Sequence, residues 1–265
     1  MNEMKDICVI TGASGGIGKE FFTQIVRDPQ WKFDEIWVIA RNEGRLKALE
    51  EESPVPLKVI PLDLSAEESF GTYRSLLEEE RPTITLLVHC SGYGKFESAE
   101  KVGYDANLNM IDLNVRSTVA LNLISLEFMG KGSGIVNVAS VAAYQPIPYI
   151  ATYGATKSFV LNFTRALSVE QKPKGIRVMA VCPFWTKTEF FDRAIQKEAD
   201  PVVKKYVAMY DPKDIVRRAL RDYRKGRGVS LFGFKTKMQL LAVKFLPASL
   251  VMKVWCAQQK LKNRI

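Results

Sequence analysis

The sequence predicts an α/β fold: a parallel sheet with helices on both faces. Two observations carry this. Short apolar runs, bounded by turn residues, alternate with longer helical stretches along the chain. The runs are apolar throughout rather than every second residue, as in strands covered on both sides. At 265 residues the chain suits a single domain of this kind. No linker, repeat or low-complexity stretch divides it.

The elements follow in order. Ile7 to Thr11 reads as the first strand, and Thr11-Gly12-Ala13-Ser14-Gly15-Gly16-Ile17-Gly18 as a glycine-rich turn into a helix reaching Val26. Such a turn holds a pyrophosphate, because free N–H groups and the helix dipole both favour an anion. Glu35 to Ala40 is the second strand, and Arg41-Asn42-Glu43 opens the next helix. Strand three spans Leu57 to Leu62 and is followed by Asp63-Leu64. A helix covers about Ala66 to Glu80. Strand four spans Ile84 to His89 and runs into Cys90-Ser91-Gly92. A long helix from about Asp105 to Met129 contains Asn114, and Gly134 to Ala139 is strand five.

Ser140 ends that strand, and Tyr153 and Lys157 share one face of the helix that continues to Gln171. A hydroxyl, a phenol and an ammonium can therefore converge on a carbonyl oxygen at the carboxyl end of the sheet. A nearby cation is expected to lower the phenol from its free value near ~10 toward a useful acid/base range. Strand six is Ile176 to Cys182, a helix runs from Asp211 to Lys225, and Val229 to Phe232 is the last strand.

These residues together resemble the short-chain dehydrogenase/reductase family, single-domain branch, over about residues 6 to 192. Thr11-Gly12-x-x-x-Gly16-x-Gly18 resembles its cofactor turn, with Ser14 and Ile17 inside it. Asp63 and Leu64 match the adenine contact, Ser91 and Gly92 the segment after strand four, and Pro183, Thr186 and Thr188 the nicotinamide loop. Ser140, Tyr153, Lys157 and Asn114 match the catalytic set. The resemblance implies a Rossmann-type, doubly wound parallel seven-stranded sheet. It also implies hydride transfer between a nicotinamide and a carbonyl or alcohol carbon. Tyr153 would move the proton, Ser140 hold the oxygen, Lys157 hold the ribose, and Asn114 position a water. Two departures stand out. His89-Cys90 replaces an asparagine pair whose second member braces the sheet in the family; Cys90 is a weak donor, so a looser centre is expected. Phe184 replaces a glycine after Pro183.

Strand two ends without an acid for the ribose 2′-hydroxyl, and Arg41 suits a 2′-phosphate instead. The expected cofactor is therefore NADP(H), with Ser14 near the same phosphate. Tyr93, Phe96, Tyr149, Phe184, Trp185 and Phe190 are the expected substrate contacts, beside Tyr144, Pro146, Ile147, Pro148, Phe191, Tyr206 and Tyr210. This aromatic area suits a steroid-like or long-chain ketone or alcohol, under a lid at about residues 184–210. A 3-oxoacyl reductase acting on a carrier-linked chain, and a non-catalytic NADP-sensing protein, are the alternatives.

Composition narrows the rest. Four scattered cysteines and one histidine match no metal motif. No signal-peptide pattern opens the chain and no run of 18 apolar residues occurs, so a cytoplasmic protein is expected. The net charge is +9. Ten basic residues and no acid follow Asp222, leaving 28 basic against 29 acidic elsewhere. We therefore divide the chain into a catalytic region, 1–233, and a basic helical extension, 234–265. The extension reads as helices from Lys235 to Leu246 and Ala248 to Lys262. Leu250, Val254 and Leu261 are expected on one face with Val251 and Trp255 beside them, and Lys253 and Lys260 on another. Two roles are open: a lid or dimer arm, or weak contact with an anionic membrane that would make the protein peripheral. Nucleic-acid binding is not expected, for want of a reading motif. Spare apolar faces on the helices at 105–129 and 153–171 want a partner, and the family resemblance implies a homodimer or homotetramer.

Overall fold

The structure is a computed structural model, and it describes residues 4–195 and 201–261. Seven parallel strands form one sheet in the order β3-β2-β1-β4-β5-β6-β7. They are β1 (Asp6–Thr11), β2 (Glu35–Ala40), β3 (Leu57–Pro61), β4 (Thr83–His89), β5 (Gly134–Val138), β6 (Arg177–Val181) and β7 (Val229–Ser230). The chain reverses its direction across the sheet between β1 and β4, which makes their carboxyl ends the switch point where such folds bind ligands.

Period-two packing sorts each strand onto two cores. On β1, Cys8 and Ile10 face one layer, and Ile7 and Val9 the other. On β2, Ile36 and Val38 join the first layer, and Trp37 and Ile39 the second. The first layer is covered by α1 (Gly16–Arg27) through Phe21, Phe22 and Ile25, and by α9 (Pro212–Arg224) through Ile215, Val216 and Ala219. The second is covered by α3 (Glu68–Glu80), α6 (Ser117–Leu126) and α7 (Ala151–Gln171), through Tyr73, Leu77, Leu121, Ile124 and Leu167. The remaining helices are α2 (Glu43–Lys47), α4 (Ala99–Val102), α5 (Tyr104–Ile111), α8 (Phe190–Ala194), α10 (Phe234–Phe245) and α11 (Ala248–Gln258). No helix among the described residues is long and apolar enough to cross a membrane.

Two expectations change. The single helix at 105–129 is α5 and α6 joined by a π-helical turn, Asp112–Arg116. A wider turn of this kind often marks a functional site, and Asn114 lies in it. The centre of the sheet is also not loose. Thr11 Oγ1 accepts the backbone N–H groups of Cys90 and Ser91, both at 3.1 Å. Its own proton is then free for His89 Nδ1 at 3.0 Å. Counting donors leaves His89 Nε2–H to donate to Ser117 Oγ at 3.3 Å, while the Ser117 hydroxyl donates to Leu113 O. Burial pushes His89 down to about 3, so the ring stays neutral and this ordered chain persists at physiological pH. A histidine thus carries the brace that Cys90 cannot.

A second buried network holds β5. Asn122 and Asn137 exchange amide hydrogen bonds at 3.0 and 2.9 Å, and Asn137 also donates to Thr164 Oγ1 at 3.1 Å. This locks α6, β5 and α7 together beneath the end of the strand that carries Ser140.

Candidate active site

The carboxyl ends of the strands open into one continuous cavity of about 1050 Å³. One half begins at the glycine-rich turn. Gly12 has φ 65°, and a Cβ there would stand 3.1 Å from the Cys90 carbonyl carbon and the Ser91 nitrogen. At Gly18 a Cβ would lie 2.2 Å from Gly12 O, so only glycine lets α1 start against the turn. No side chain caps α1 at Gly15. Its first N–H groups therefore face the cavity, a cradle suited to a pyrophosphate. Ser14, Gly16, Ile17, Gly18, Arg41, Asp63, Leu64, Ser91 and Gly92 line this half. Thr11 does not. It is fully buried and serves the brace beneath the turn.

Arg41 lies 3.8 Å from Asp63, and both are about half exposed, so the pair is loose and Arg41 can turn to a phosphate. Arg45 was missed by the sequence reading. It lies in α2, four residues after Arg41, which precedes the helix cap Asn42; it lines the cavity and pairs with Glu189 at 2.6 Å across the cleft. Asn42 starts α2 by accepting the Arg45 N–H at 2.9 Å.

Ser140, Tyr153 and Lys157 meet at the middle of the cavity. Ser140 leaves β5 in extended conformation, and its Oγ accepts the Ala142 N–H at 3.1 Å. The same hydroxyl is hydrogen-bonded to the Tyr153 phenol. Lys157 Nζ is buried, donates to Val138 O at 2.7 Å, and lies 5.9 Å from the Tyr153 ring. Asn114 stands behind the three and does not line the cavity. Its Nδ2 donates to Tyr93 O at 2.8 Å and to Thr156 Oγ1 at 3.0 Å, and its Oδ1 accepts Tyr93 N–H at 3.0 Å. It therefore ties the loop after β4 to α7.

The expected lowering of Tyr153 is not found. Burial pushes its phenol up to about 12, and the Ser140 hydrogen bond offsets only part of this. Burial also takes Lys157 from 10.5 down to about 8. Charge on either group is disfavoured in this apolar surround, and that outweighs their mutual attraction. The pair is thus a protonated phenol beside an ammonium that is easily neutralised.

The other half of the cavity is aromatic. Phe96 packs against Tyr153, Trp185, Phe190 and Phe191, with ring centroids 5.9–6.4 Å apart. Tyr93, Phe96, Phe184, Trp185 and Phe190 line it, with Phe191 and Ile147. Tyr149 does not. It takes a left-handed backbone, φ 66°, and packs beside the apolar cluster instead. Tyr144, Pro146, Pro148, Tyr206 and Tyr210 are also outside the lining. Pro183, Thr186 and Thr188 line the cavity where the two halves join. Of the expected lid, residues 196–200 lie outside the described residues.

The C-terminal helices form a wall of this half, through Ala242, Val243, Leu246, Val251, Val254 and Trp255. Trp255 stacks 6.4 Å from Trp185 and donates to Pro148 O at 3.0 Å. Gln259 accepts the N–H groups of Lys204 and Lys205 at 2.8 and 2.9 Å, tying α11 to the lid segment. Of the apolar residues expected together on α11, Val251 and Trp255 are buried, whereas Leu250 and Val254 are exposed. The helix ends at Gln258, so Lys260 lies in a left-handed turn rather than one face from Lys253. Lys262 lies outside the described residues.

A family model, short chain dehydrogenase, matches residues 6–199. The chain belongs to that family. Sulfoacetaldehyde reductase 2 of Chromohalobacter salexigens is 33% identical, over 71% of this chain and 75% of that protein. A short-chain dehydrogenase from Sphingobium yanoikuyae, solved in complex with NADPH, is 25% identical with a TM-score of 0.73. It covers 98% of this chain and is itself covered to 96%. The bulky-bulky ketone specific alcohol dehydrogenase from Comamonas testosteroni is 25% identical with a TM-score of 0.69, over 98% of this chain and 94% of that one. As a family member the chain is an oxidoreductase of alcohol and carbonyl groups that uses a nicotinamide cofactor.

A pH dependence follows from Lys157. It is charged below about 8 and neutral above. NADPH affinity, followed by fluorescence titration, should be flat below that pH and weaken by roughly tenfold above it, the scale of one charge-assisted hydrogen bond. Lys157→Met should remove the inflection. An inflection unchanged in that variant would assign the titration to another group.

Proposed function

We propose that the protein interconverts a bulky apolar ketone and its secondary alcohol. The observation that carries this is the placement of Ser140 and Tyr153, which join a phosphate-cradling half-cavity to an aromatic one. NADP(H), when bound, supplies or accepts the hydride. The Gly12–Gly18 turn would hold its pyrophosphate, Asp63 and Leu64 its adenine end, and Arg41 with Ser14 its 2′-phosphate. Arg45 lies close enough to contribute there.

In reduction, Ser140 donates a hydrogen bond to the carbonyl oxygen and Tyr153 delivers the proton to it. A phenol near 12 is protonated throughout the neutral range, the state an acid needs. Lys157 holds the ribose side and replenishes the proton path. Asn114, fixed by Tyr93 and Thr156, is a positioning residue for that path. Phe96, Phe184, Trp185 and Phe190 offer area rather than hydrogen bonds, which favours a large apolar substrate over a small polar one. The Comamonas enzyme, specific for bulky ketones, is consistent with this. Sulfoacetaldehyde, the substrate in the name of the Chromohalobacter relative, shows that family membership alone does not select it.

A turnover screen with NADPH over ketosteroids, long-chain ketones and small polar aldehydes tests the reading. Bulky ketones should be turned over best; a marked preference for small polar aldehydes would remove the substrate claim. Tyr153→Phe should keep NADPH binding and lose at least ~100-fold in turnover. Near-normal turnover would take Tyr153 out of the proton transfer.

Arg41→Ala should weaken NADPH by about 10- to 100-fold and NADH little, since a hydrogen bond to a charged group is worth about 1.5–3 kcal/mol. Equal losses for the two cofactors would show that Arg41 does not read the phosphate.

The assembly belongs to the same reading. Leu108, Ile111, Leu123 and Phe159 are exposed on α5, α6 and α7. Ile111 also lines a shallow depression with Val115, Ala151, Thr152, Ala155 and Thr156. A homodimer through these helices would cover them. Sedimentation equilibrium at micromolar concentration should give twice the chain mass, and a monomer there would refute it.

A further inference from the structure

Helix α10 covers the cavity with one face and leaves the other bare. Phe234, Met238, Leu241 and Phe245 recur at spacings of four, three and four, so they stack along one side of the helix. All four are exposed, Phe234 and Phe245 by about three quarters of their surface. None of them lines the cavity. The stripe continues past Pro247 into exposed Leu250 and Val254 of α11. Phenylalanines so exposed in a contiguous row are not ordinary surface; a patch of this kind marks an interaction site.

The charges beside it are all of one sign. Lys235, Lys237, Lys244 and Lys253 are exposed on the same two helices, and Lys244 Nζ lies 5.9 Å from the Phe245 ring. No acid occurs after Asp222. A second copy joined stripe to stripe would bring eight or so lysines together without an opposing carboxylate, which self-repulsion disfavours. An anionic bilayer is complementary on both counts: its acyl boundary takes the apolar row and its headgroups take the lysines.

We propose that α10 and α11 seat the protein on an anionic membrane surface, with Phe234, Met238, Leu241 and Phe245 entering the headgroup–acyl boundary. Leu246 and Val254 are both partly exposed and part of the cavity lining, so the cavity rim adjoins the docked face. The substrate mouth then opens at the lipid. That last consequence rests on the apolar-substrate reading above; the docking itself does not, because it is measured without turnover.

The test is co-sedimentation of the full chain with phosphatidylcholine vesicles, with and without roughly one-third phosphatidylglycerol. Binding should require phosphatidylglycerol and fall about tenfold or more between low and high salt, as headgroup attraction is screened. Leu241→Glu and Phe245→Glu should each abolish binding while leaving thermal melting and aqueous turnover unchanged. No binding by the parent at low salt overturns the proposal, as does undiminished binding by both variants. If instead the variants turn a dimeric parent into a monomer that never binds vesicles, the stripe is a copy-to-copy contact and the proposal fails.

Discussion

The Thr11 hydroxyl is the joint on which the site hangs. It sits at the last residue of β1, accepts two backbone N–H groups from the loop after β4, and donates to a buried neutral histidine. Both loops that build the cavity leave the sheet at this point. The glycine turn runs one way and Ser91-Gly92-Tyr93 the other, and Gly12 is close enough to Cys90 to forbid a side chain. A single oxygen with three hydrogen bonds therefore fixes the distance between the phosphate cradle and the loop that reaches Asn114. The network is buried and fully satisfied, the condition under which polar groups specify a structure instead of weakening it.

From that joint, order passes outward through polar groups to the reacting atoms. Asn114 carries it from the loop to α7 through Thr156, and the Asn122–Asn137–Thr164 network carries it from α6 through β5 to α7. Tyr153 and Lys157 on α7, and Ser140 at the end of β5, thus have their backbones held from two sides. Asn114 holds these contacts from within the π turn. Chemistry at the centre of the cavity depends on burial as well as on position. The same apolar surround that raises the phenol and lowers the ammonium would strengthen any hydrogen bond made there.

The outer half of the cavity is built differently, from rings and from the end of the chain. Trp185 is the hub, touching Phe96, Phe191, Tyr206 and Trp255. Through Trp255 and Gln259, a segment remote in sequence becomes the wall of the site. The basic extension thus packs onto the rest of the chain, and its cavity-lining face and its bare outer face are two sides of the same helices.

The sequence by itself determined the strands, their order of appearance, the glycine turn, and the convergence of Ser140, Tyr153 and Lys157. Each of these rests on local periodicity or on short spacings that tolerate one geometry. Arg41 was legible for the same reason, as the residue next to a strand end. Tertiary structure alone decided what depends on contacts across the chain. That Thr11 braces rather than binds follows from where the loop after β4 returns. That His89 acts as a brace follows from the helix residue Ser117 that passes behind it. Tyr149 packs behind the cavity and Trp255 within it because loops and termini have no period to reveal their facing. The direction of the Tyr153 shift was misread on the same ground: a neighbouring charge shows in the sequence, whereas the depth of burial that outweighs it exists only once the chain has folded.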